Sequence, residues 1–353
     1  MELGNAVNAR HVASPEAGAP SKEDPPMSFP IRRLRRGTTL AAGALALAVA
    51  APSAAQAQPS APSPAYGATA NGRVLTFSLD SPLAASSRRI SGLAGGDSVV
   101  GIDERPVDGA LYAVTKGAGG AGRVYTINPA TGQATLAFAL VAPGRTAAGQ
   151  PAAPIVLSGS RFGVDFNPAA DALRIVSDTG QNLRALPSDR VAAAVQRFAG
   201  DTFTDGALSY APITAVPRPI ETGVNAAAYT NNDTDPATGT ALLDIDAVTQ
   251  RDLVAQNPPN DGTLTKVADL GLGLRQVQGF DIRGADQAYA VLGGIRLSSF
   301  IESILLRRGF VLTVPVRLVS LNLATGAIAE RGYVGTASPL AGFTIDIPAP
   351  PAP

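Results

Sequence analysis

Apolar and polar positions in this chain alternate in short runs far more often than they recur at helical spacing. Arg123-Val124-Tyr125-Thr126-Ile127-Asn128 and Arg317-Leu318-Val319-Ser320-Leu321-Asn322 have the period of two expected of half-buried strands. Each runs into turn chemistry, Pro129-Ala130-Thr131-Gly132 and Leu323-Ala324-Thr325-Gly326. Shorter apolar segments recur as well: Leu111-Tyr112-Ala113-Val114, Leu173-Arg174-Ile175-Val176, Ala228-Tyr229-Thr230 and Ala288-Tyr289-Ala290-Val291. Ahead of each stands a triplet of glycine, an apolar residue and a small polar one. These are Gly101-Ile102-Asp103, Gly163-Val164-Asp165, Gly223-Val224-Asn225 and Gly279-Phe280-Asp281. A fifth, Gly342-Phe343-Thr344, ends the series, and the spacings are 62, 60, 56 and 63 residues.

A unit of four short strands repeated at this period predicts the blade of an all-β propeller. The two ends of the chain fit the same unit. Ala65-Tyr66-Gly67-Ala68-Thr69 matches a second strand and Arg73-Val74-Leu75-Thr76-Phe77-Ser78 a third, with no first strand before them. Gly342–Ile347 is a first strand with nothing after it. Joined, they make one blade and give a five-bladed β-propeller over residues 65–347, the last blade closed by N- and C-terminal strands. Such closure removes free sheet edges. A pair of open β-sandwiches is the competing arrangement. The period turns helical only in Leu297–Val314, where Phe300, Ile301, Ile304 and Leu305 predict a short amphipathic helix folded back on its own blade.

Before residue 65 the pattern changes. Arg32-Arg33-Leu34-Arg35-Arg36 precedes an apolar run from Thr38 to Ala51, and Ala55-Gln56-Ala57 supplies a small-x-small cleavage pattern. Residues 27–57 therefore read as a secretory signal cut before Gln58, by the general or the twin-arginine route, and the run is too short to span a bilayer. Met27 is the expected start, with 1–26 an untranslated or non-native extension. Residues 58–64 read as a Pro-rich linker and 348–353 as a Pro/Ala tail. A secreted or periplasmic location follows, with no transmembrane anchor in the mature chain.

Composition narrows the chemistry. Lys+Arg and Asp+Glu number 28 each, and the chain has no Cys or Trp. Six basic and four acidic residues fall within 1–57, which leaves 22 and 24 and a net charge of −2. That balance argues against a nucleic-acid partner. The single His (His11) and both Met residues also lie in 1–57. The mature chain thus lacks His, Cys, Met and Trp, which excludes Ser-His-Asp triads, imidazole or thiolate metal sites, and haem ligation by His or Met. Carboxylates, hydroxyls, Tyr, Arg, Lys116 and Lys266 remain.

Several longer strings carry a family resemblance. They are Gly163-Val164-Asp165-Phe166-Asn167-Pro168, the run from Asp171 to Arg184, Ala228-Tyr229-Thr230-Asn231-Asn232, the run from Gln256 to Leu264, and Gly279-Phe280-Asp281-Ile282. With these the chain resembles the bacterial domain of unknown function 4394 family over about residues 70–345. The resemblance implies an exported, propeller-like domain and no particular activity. The segment between Tyr289 and Arg317 is longer and more apolar than the family pattern.

Four constellations are candidate sites. Glycine and the polar residue two places on share a strand face, so Asp103, Asp165, Asn225, Asp281 and Thr344 are expected together around the axis. They either line an oxygen-rich cation site, for which Ca²⁺ is the one cofactor in view, or cap N–H groups of neighbouring blades. The second reading is preferred, because a device repeated in every blade serves the blade. Asp103, Asp165 and Asp281 are also the acids that carboxylate-based glycoside hydrolysis would require. Arg174, Asp178, Gln181 and Asn182 are the candidate polar cluster for an acidic or sugar-like ligand, with an inter-blade Arg–Asp pair and capped turns as the preferred alternative. Asn231-Asn232-Asp233-Thr234-Asp235 has calcium-loop spacing but Pro236 where Gly is required, so it reads as a hairpin loop, while 257–262 forms a rigid loop. The expectation is an exported, non-catalytic binding or scaffold domain for an extracellular or envelope ligand. The alternative is a carboxylate-based glycan-active enzyme, and a cation-stabilised structural domain is compatible with either.

Overall fold

A computed structural model describes residues 64–145, 149–192, 195–212, 219–221, 223–235, 237–271, 277–293 and 315–347. The extension, the signal segment, most of the linker, the C-terminal tail and the amphipathic segment Leu297–Val314 lie outside the described residues. Among those described, helical structure includes the single 3₁₀ turns Ala118–Gly120 and Pro259–Asp261. None is long and apolar enough to cross a membrane.

Five antiparallel sheets stand around one axis, each numbered here from its innermost strand outward. Blade 1 is composite: Leu340–Ile345, then Pro64–Thr69, Arg73–Ser78 and Ser81–Arg89. The closing register pairs Ala65 with Ile345 and Gly67 with Phe343, so strands from the two ends of the sequence share one ladder, as expected. Blade 2 is Ser98–Arg105, Ala110–Lys116, Gly122–Ile127 and Ala134–Ala139. Blade 3 is Phe162–Asn167, Ala172–Ser177, Asn182–Ala185 and Thr202–Thr204, with a small hairpin, Arg190–Ala192 and Val195–Arg197, before its last strand.

Blade 4 is Val224–Tyr229, Leu242–Asp246, Asp252–Gln256 and Thr263–Asp269, extended by the parallel strand Ser209–Tyr210. Its innermost strand contains Val224-Asn225 as well as Ala228-Tyr229, which the repeat pattern had divided between two strands. The segment 230–241 is the loop to the second strand, in keeping with the hairpin reading of Asn231–Asp235. Blade 5 is Val277–Arg283, Gln287–Gly293, Val316–Leu321 and Ile328–Tyr333.

Hydrophobic burial is divided among the seams between blades. Five separate clusters each draw on two adjacent blades, one cluster for every seam of the ring. Phe166, Leu173 and Ile175 of blade 3 meet Tyr112, Val114 and Leu140 of blade 2. Phe343 and Ile345 of the closing strand meet Val291, Val316 and Leu318 of blade 5. Each sheet is therefore apolar on both faces, as a blade flanked by two others must be.

At the axis the backbones nearly touch. A Cβ on Gly163 would lie 2.5 Å from Ala227 N, one on Gly279 would lie 2.8 Å from Phe343 N, and one on Gly342 would lie 2.6 Å from Ile102 N. Only glycine permits that approach. The pairing also defines the ring register: Gly163 faces Ala226-Ala227 just as Gly279 faces Gly342-Phe343. The triplet of blade 4 is therefore Ala226-Ala227-Ala228, three residues after the Gly223-Val224-Asn225 that the repeat suggested. Gly223 has a different neighbour, since its Cβ would meet the Asp246 carboxylate at 2.0 Å.

Candidate functional site on the propeller axis

An innermost strand leaves one edge of its N–H groups facing the axis with no strand to pair. Here the preceding blade supplies acceptors. Phe166 N donates to Asp103 Oδ2 at 2.7 Å, Tyr229 N to Asp165 Oδ1 at 3.1 Å, and Ile345 N to Asp281 Oδ2 at 2.7 Å. In each case the donor immediately follows the ring residue of the next blade. Ala228 has no carboxylate to offer blade 5, and there Ile282 N turns to Asp281's own Oδ1 at 2.6 Å. The capping role expected of the ring is thus present in three blades.

The same three carboxylates converge. Asp103, Asp165 and Asp281 are 5%, 4% and 2% exposed, and an oxygen from each lies within 4.8 Å of the others. Thr344 Oγ1 is 2.8 Å from Asp103 Oδ1 and 2.9 Å from Asp281 Oδ2. One hydroxyl hydrogen can serve only one of these oxygens, so the other contact requires a proton on the carboxyl or a cation beside it. Burial, then the neighbouring negative charges, hold Asp103 and Asp165 well above the usual carboxylate range. Asp281 is pushed up to about 6, chiefly by burial, with the Ile345 and Ile282 N–H groups and the Thr344 hydroxyl opposing. Asn225 is buried on the same strand as Ala228, but it precedes the ring triplet and is not one of the converging group. Its two amide atoms have no hydrogen-bond partner. Beside the glycines, a void of about 10 Å³ lined by Gly101, Gly163, Ala226, Gly279 and Gly342 is about the smallest that admits one water.

Two further acids adjoin this core and escaped the sequence reading. Glu104, next to Asp103, accepts from Ile347 N at 3.1 Å, while Tyr66 donates to Asp346 Oδ1 at 3.2 Å. Burial first, then the Asp346 charge, pushes Glu104 up to about 8 against the opposing Ile347 N–H. Asp244, opposite Ala227 on the second strand of blade 4, is fully buried, and both its oxygens lack a hydrogen-bond partner. Burial pushes it up to about 8, with Arg174 opposing. The readable signal was a charged residue inside the apolar run Leu242-Leu243-Asp244-Ile245.

The expected cluster of Arg174, Asp178, Gln181 and Asn182 divides in two. Arg174 is 2% exposed in the seam between blades 3 and 4. It donates to Asn182 Oδ1 (2.7 Å), Asp205 Oδ2 (2.8 Å) and Asn260 Oδ1 (2.8 Å). Asn182 Nδ2 in turn donates to Gly206 O and Pro259 O, so the 257–262 loop is anchored by its side chain and backbone to this node. Asp178 and Gln181 lie apart, at the following turn. Asp178 accepts from Ser160 N and Oγ, and Gln181 bonds Ser158 N and Val156 O, which ties the segment 156–160 to the turn.

An open concavity lies elsewhere. A groove of about 630 Å³ runs along blade 5 where the turns 284–287 and 322–327 meet. Asp286, Tyr289, Ser320, Asn322 and Arg331 line it, with the Arg331 guanidinium 6.0 Å from the Tyr289 ring centre.

The family model of DUF4394, a domain of unknown function, matches residues 73–344, which span all five blades. The chain belongs to this family. No curated protein sequence matches the DUF4394 chain. Among solved structures it is similar to a chain of a nidogen/laminin complex at 12% identity, covering 81% of this chain and 98% of that one with a TM-score of 0.43. It is also similar to TolB from Acinetobacter baumannii (11% identity, 80% and 66% covered, TM-score 0.39). A candidate 6-phosphogluconolactonase from Bacteroides uniformis gives 13% identity, 78% and 83% covered and a TM-score of 0.37. At such values the DUF4394 chain shares no more than a general architecture with them, and its chemistry has to be read from its own residues.

Proposed function

We propose that this DUF4394 domain is an exported, non-catalytic binding or scaffold module that acts in the periplasm or outside the cell. One observation carries the reading: the acids best suited to chemistry are buried at the axis and spent on neighbouring blades. Hydrolysis of a glycosidic bond needs two carboxyl groups roughly 5–10 Å apart on either side of an open cleft that admits the sugar. Asp103, Asp165 and Asp281 instead face one another and are all buried. Open polar surface lies on blade 5, where Tyr289, Arg331, Asn322 and Asp286 offer a stacking ring, a cation and hydrogen-bonding groups. Export rests on the basic, apolar and small-x-small order of residues 27–57.

The test has two arms. Expressed from Met27 in a bacterial host, the protein should be recovered outside the cytoplasm with Gln58 as its N-terminus. The mature protein should release no reducing ends from a panel of glycans, while a ligand of the blade 5 groove should lose affinity on Arg331→Ala. Retention of an uncut chain in the cytoplasm would refute export. Glycan cleavage abolished by Asp165→Asn would replace the binding reading with the enzymatic one.

A further inference from the structure

We propose that the carboxylates of Asp103, Asp165 and Asp281, with the Thr344 hydroxyl beside them, hold a divalent, oxygen-seeking cation, calcium first, that locks the closing blade to its neighbours. The span of the three acids suits such an ion. Oxygens on opposite sides of Ca²⁺ at about 2.4 Å lie about 4.8 Å apart, and one oxygen from each of the three lies within 4.8 Å of the others.

The basic side chains nearby do not offset the charge of the ionised group. Arg174, the guanidinium of the adjoining seam, is already paired with Asp205 at 2.8 Å. Arg283 acts on Asp281 from the end of the same strand, and Glu104 adds a further acid beside Asp281. A second observation is independent of the ring itself. Asp244 stands on the face of blade 4 that looks toward blade 3, with Val254 and Ala227. Asp165 reaches that face from the other side to accept from Tyr229 N. The Asp244 carboxyl therefore points into the space beside Asp165, is wholly buried, has neither oxygen hydrogen-bonded, and bears on Asp165 through its charge. A buried acid with no hydrogen bond, turned toward Asp165 and opposed by the already paired Arg174, adds a fourth carboxyl to a region short of positive charge.

Position explains what the ion would do. Thr344 belongs to the C-terminal strand of the composite blade, while Asp103 and Asp281 belong to the blades on either side of it. A cation among them would tie the closing strand to both neighbours. The inference stands whether or not the blade 5 groove binds a ligand.

The experiment uses the mature chain, stripped with a chelator and dialysed free of it. Tyrosine-sensitised Tb³⁺ luminescence should saturate at one ion per chain and be displaced by Ca²⁺. Calcium at 1 mM should raise Tm by about 5 °C or more. Asp103→Asn combined with Asp281→Asn keeps an acceptor for the N–H groups of Phe166 and Ile345 while removing two charges. It should bind Tb³⁺ at least about tenfold more weakly and lose the calcium response. Its metal-free Tm should equal or exceed that of the metal-free wild type, so that lost binding is not lost folding. The exposed Asp80→Asn control should behave as wild type. No saturable binding of Tb³⁺, Ca²⁺, Mg²⁺ or Mn²⁺ at millimolar concentration would overturn the proposal and leave shared protons as the means of holding the ring. A calcium response undiminished in the double variant would overturn it equally.

Discussion

Two buried polar regions of this propeller handle charge in opposite ways. In the seam between blades 3 and 4, one guanidinium meets one carboxylate and two amides, and Arg174 is enclosed by Asp205, Asn182 and Asn260 at 2.7–2.8 Å. A few ångströms nearer the axis, carboxyl groups face carboxyl groups, with a hydroxyl between two of them. The first region is complete as it stands and specifies which loops meet. The second is satisfied on the backbone side only, and its charge has to be removed by protons or by an ion. Two chemically similar burials thus have different sensitivities: one to mutation, the other to solution conditions.

The largest expected effect comes from breaking the complete region. Arg174→Leu leaves Asp205, Asn182 and Asn260 facing one another without their donor, and removing one member of a buried pair costs about 3–5 kcal/mol. Urea unfolding should show a lower midpoint with an unchanged slope, and Arg174→Lys should recover only part, because an ammonium cannot reproduce the planar fork. A midpoint within experimental scatter of wild type would show that the node contributes no net stability.

Next is the response of the axis to pH in metal-free protein. An acid whose pKa is raised by folding binds more protons in the folded state than in the unfolded one, so stability falls as pH rises. For Asp281, ordinarily near 3.8 and here about 6, the fall should run between about pH 4 and 6, and amount to about 3 kcal/mol. Glu104 and Asp244, both raised to about 8, extend the decline to pH 8. Unfolding followed from pH 4.5 to 8.5 tests this, and bound calcium should flatten the slope. A metal-free protein that gains stability over that range would contradict it.

A smaller effect separates the axis from the seam by sterics alone. Gly163→Ala places a Cβ against backbone atoms of Ala226 and Ala227 at 2.5–2.9 Å, and these cannot move unless blade 4 moves with them. The cost should be about 1–3 kcal/mol at every pH and calcium concentration. A cost that varied with either would mean that the substitution had disturbed the carboxylates instead.

The same contrast explains what the sequence displayed. Strand period and turn residues made the five blades readable because each depends on residues close together in the chain, and the missing first strand at the N-terminus showed where the C-terminal one must pair. Asp103, Asp165 and Asp281 were readable for the same reason: glycine two places earlier is demanded by the approach of the next backbone. In blade 4 alanine suffices, so the repeat was read onto Gly223, whose own constraint is the Asp246 carboxylate. For Arg174 an Arg–Asp pair was readable as one of two roles, but its partners Asp205 and Asn260 lie 31 and 86 residues away, beyond any local pattern that could name them.

The smallest effect sharpens the comparison furthest. Asp244 lies between the two regions, close enough to Arg174 to be drawn downward and yet raised to about 8 by burial. Near pH 6 its carboxyl is neutral, so Asp244→Asn exchanges one uncharged polar group for another and should change stability by less than about 0.5 kcal/mol. Above pH 8 the wild type carries a buried charge with no hydrogen bond, and the variant does not. Asp244→Asn should therefore become the more stable protein there, and its stability should decline less steeply between pH 7 and 9. If instead the variant is destabilised at every pH, Asp244 is ionised and paired electrostatically with Arg174, and it belongs to the seam. If the wild type gains the larger calcium response, the carboxylate is part of the charge the axial ion balances, and it belongs to the axis.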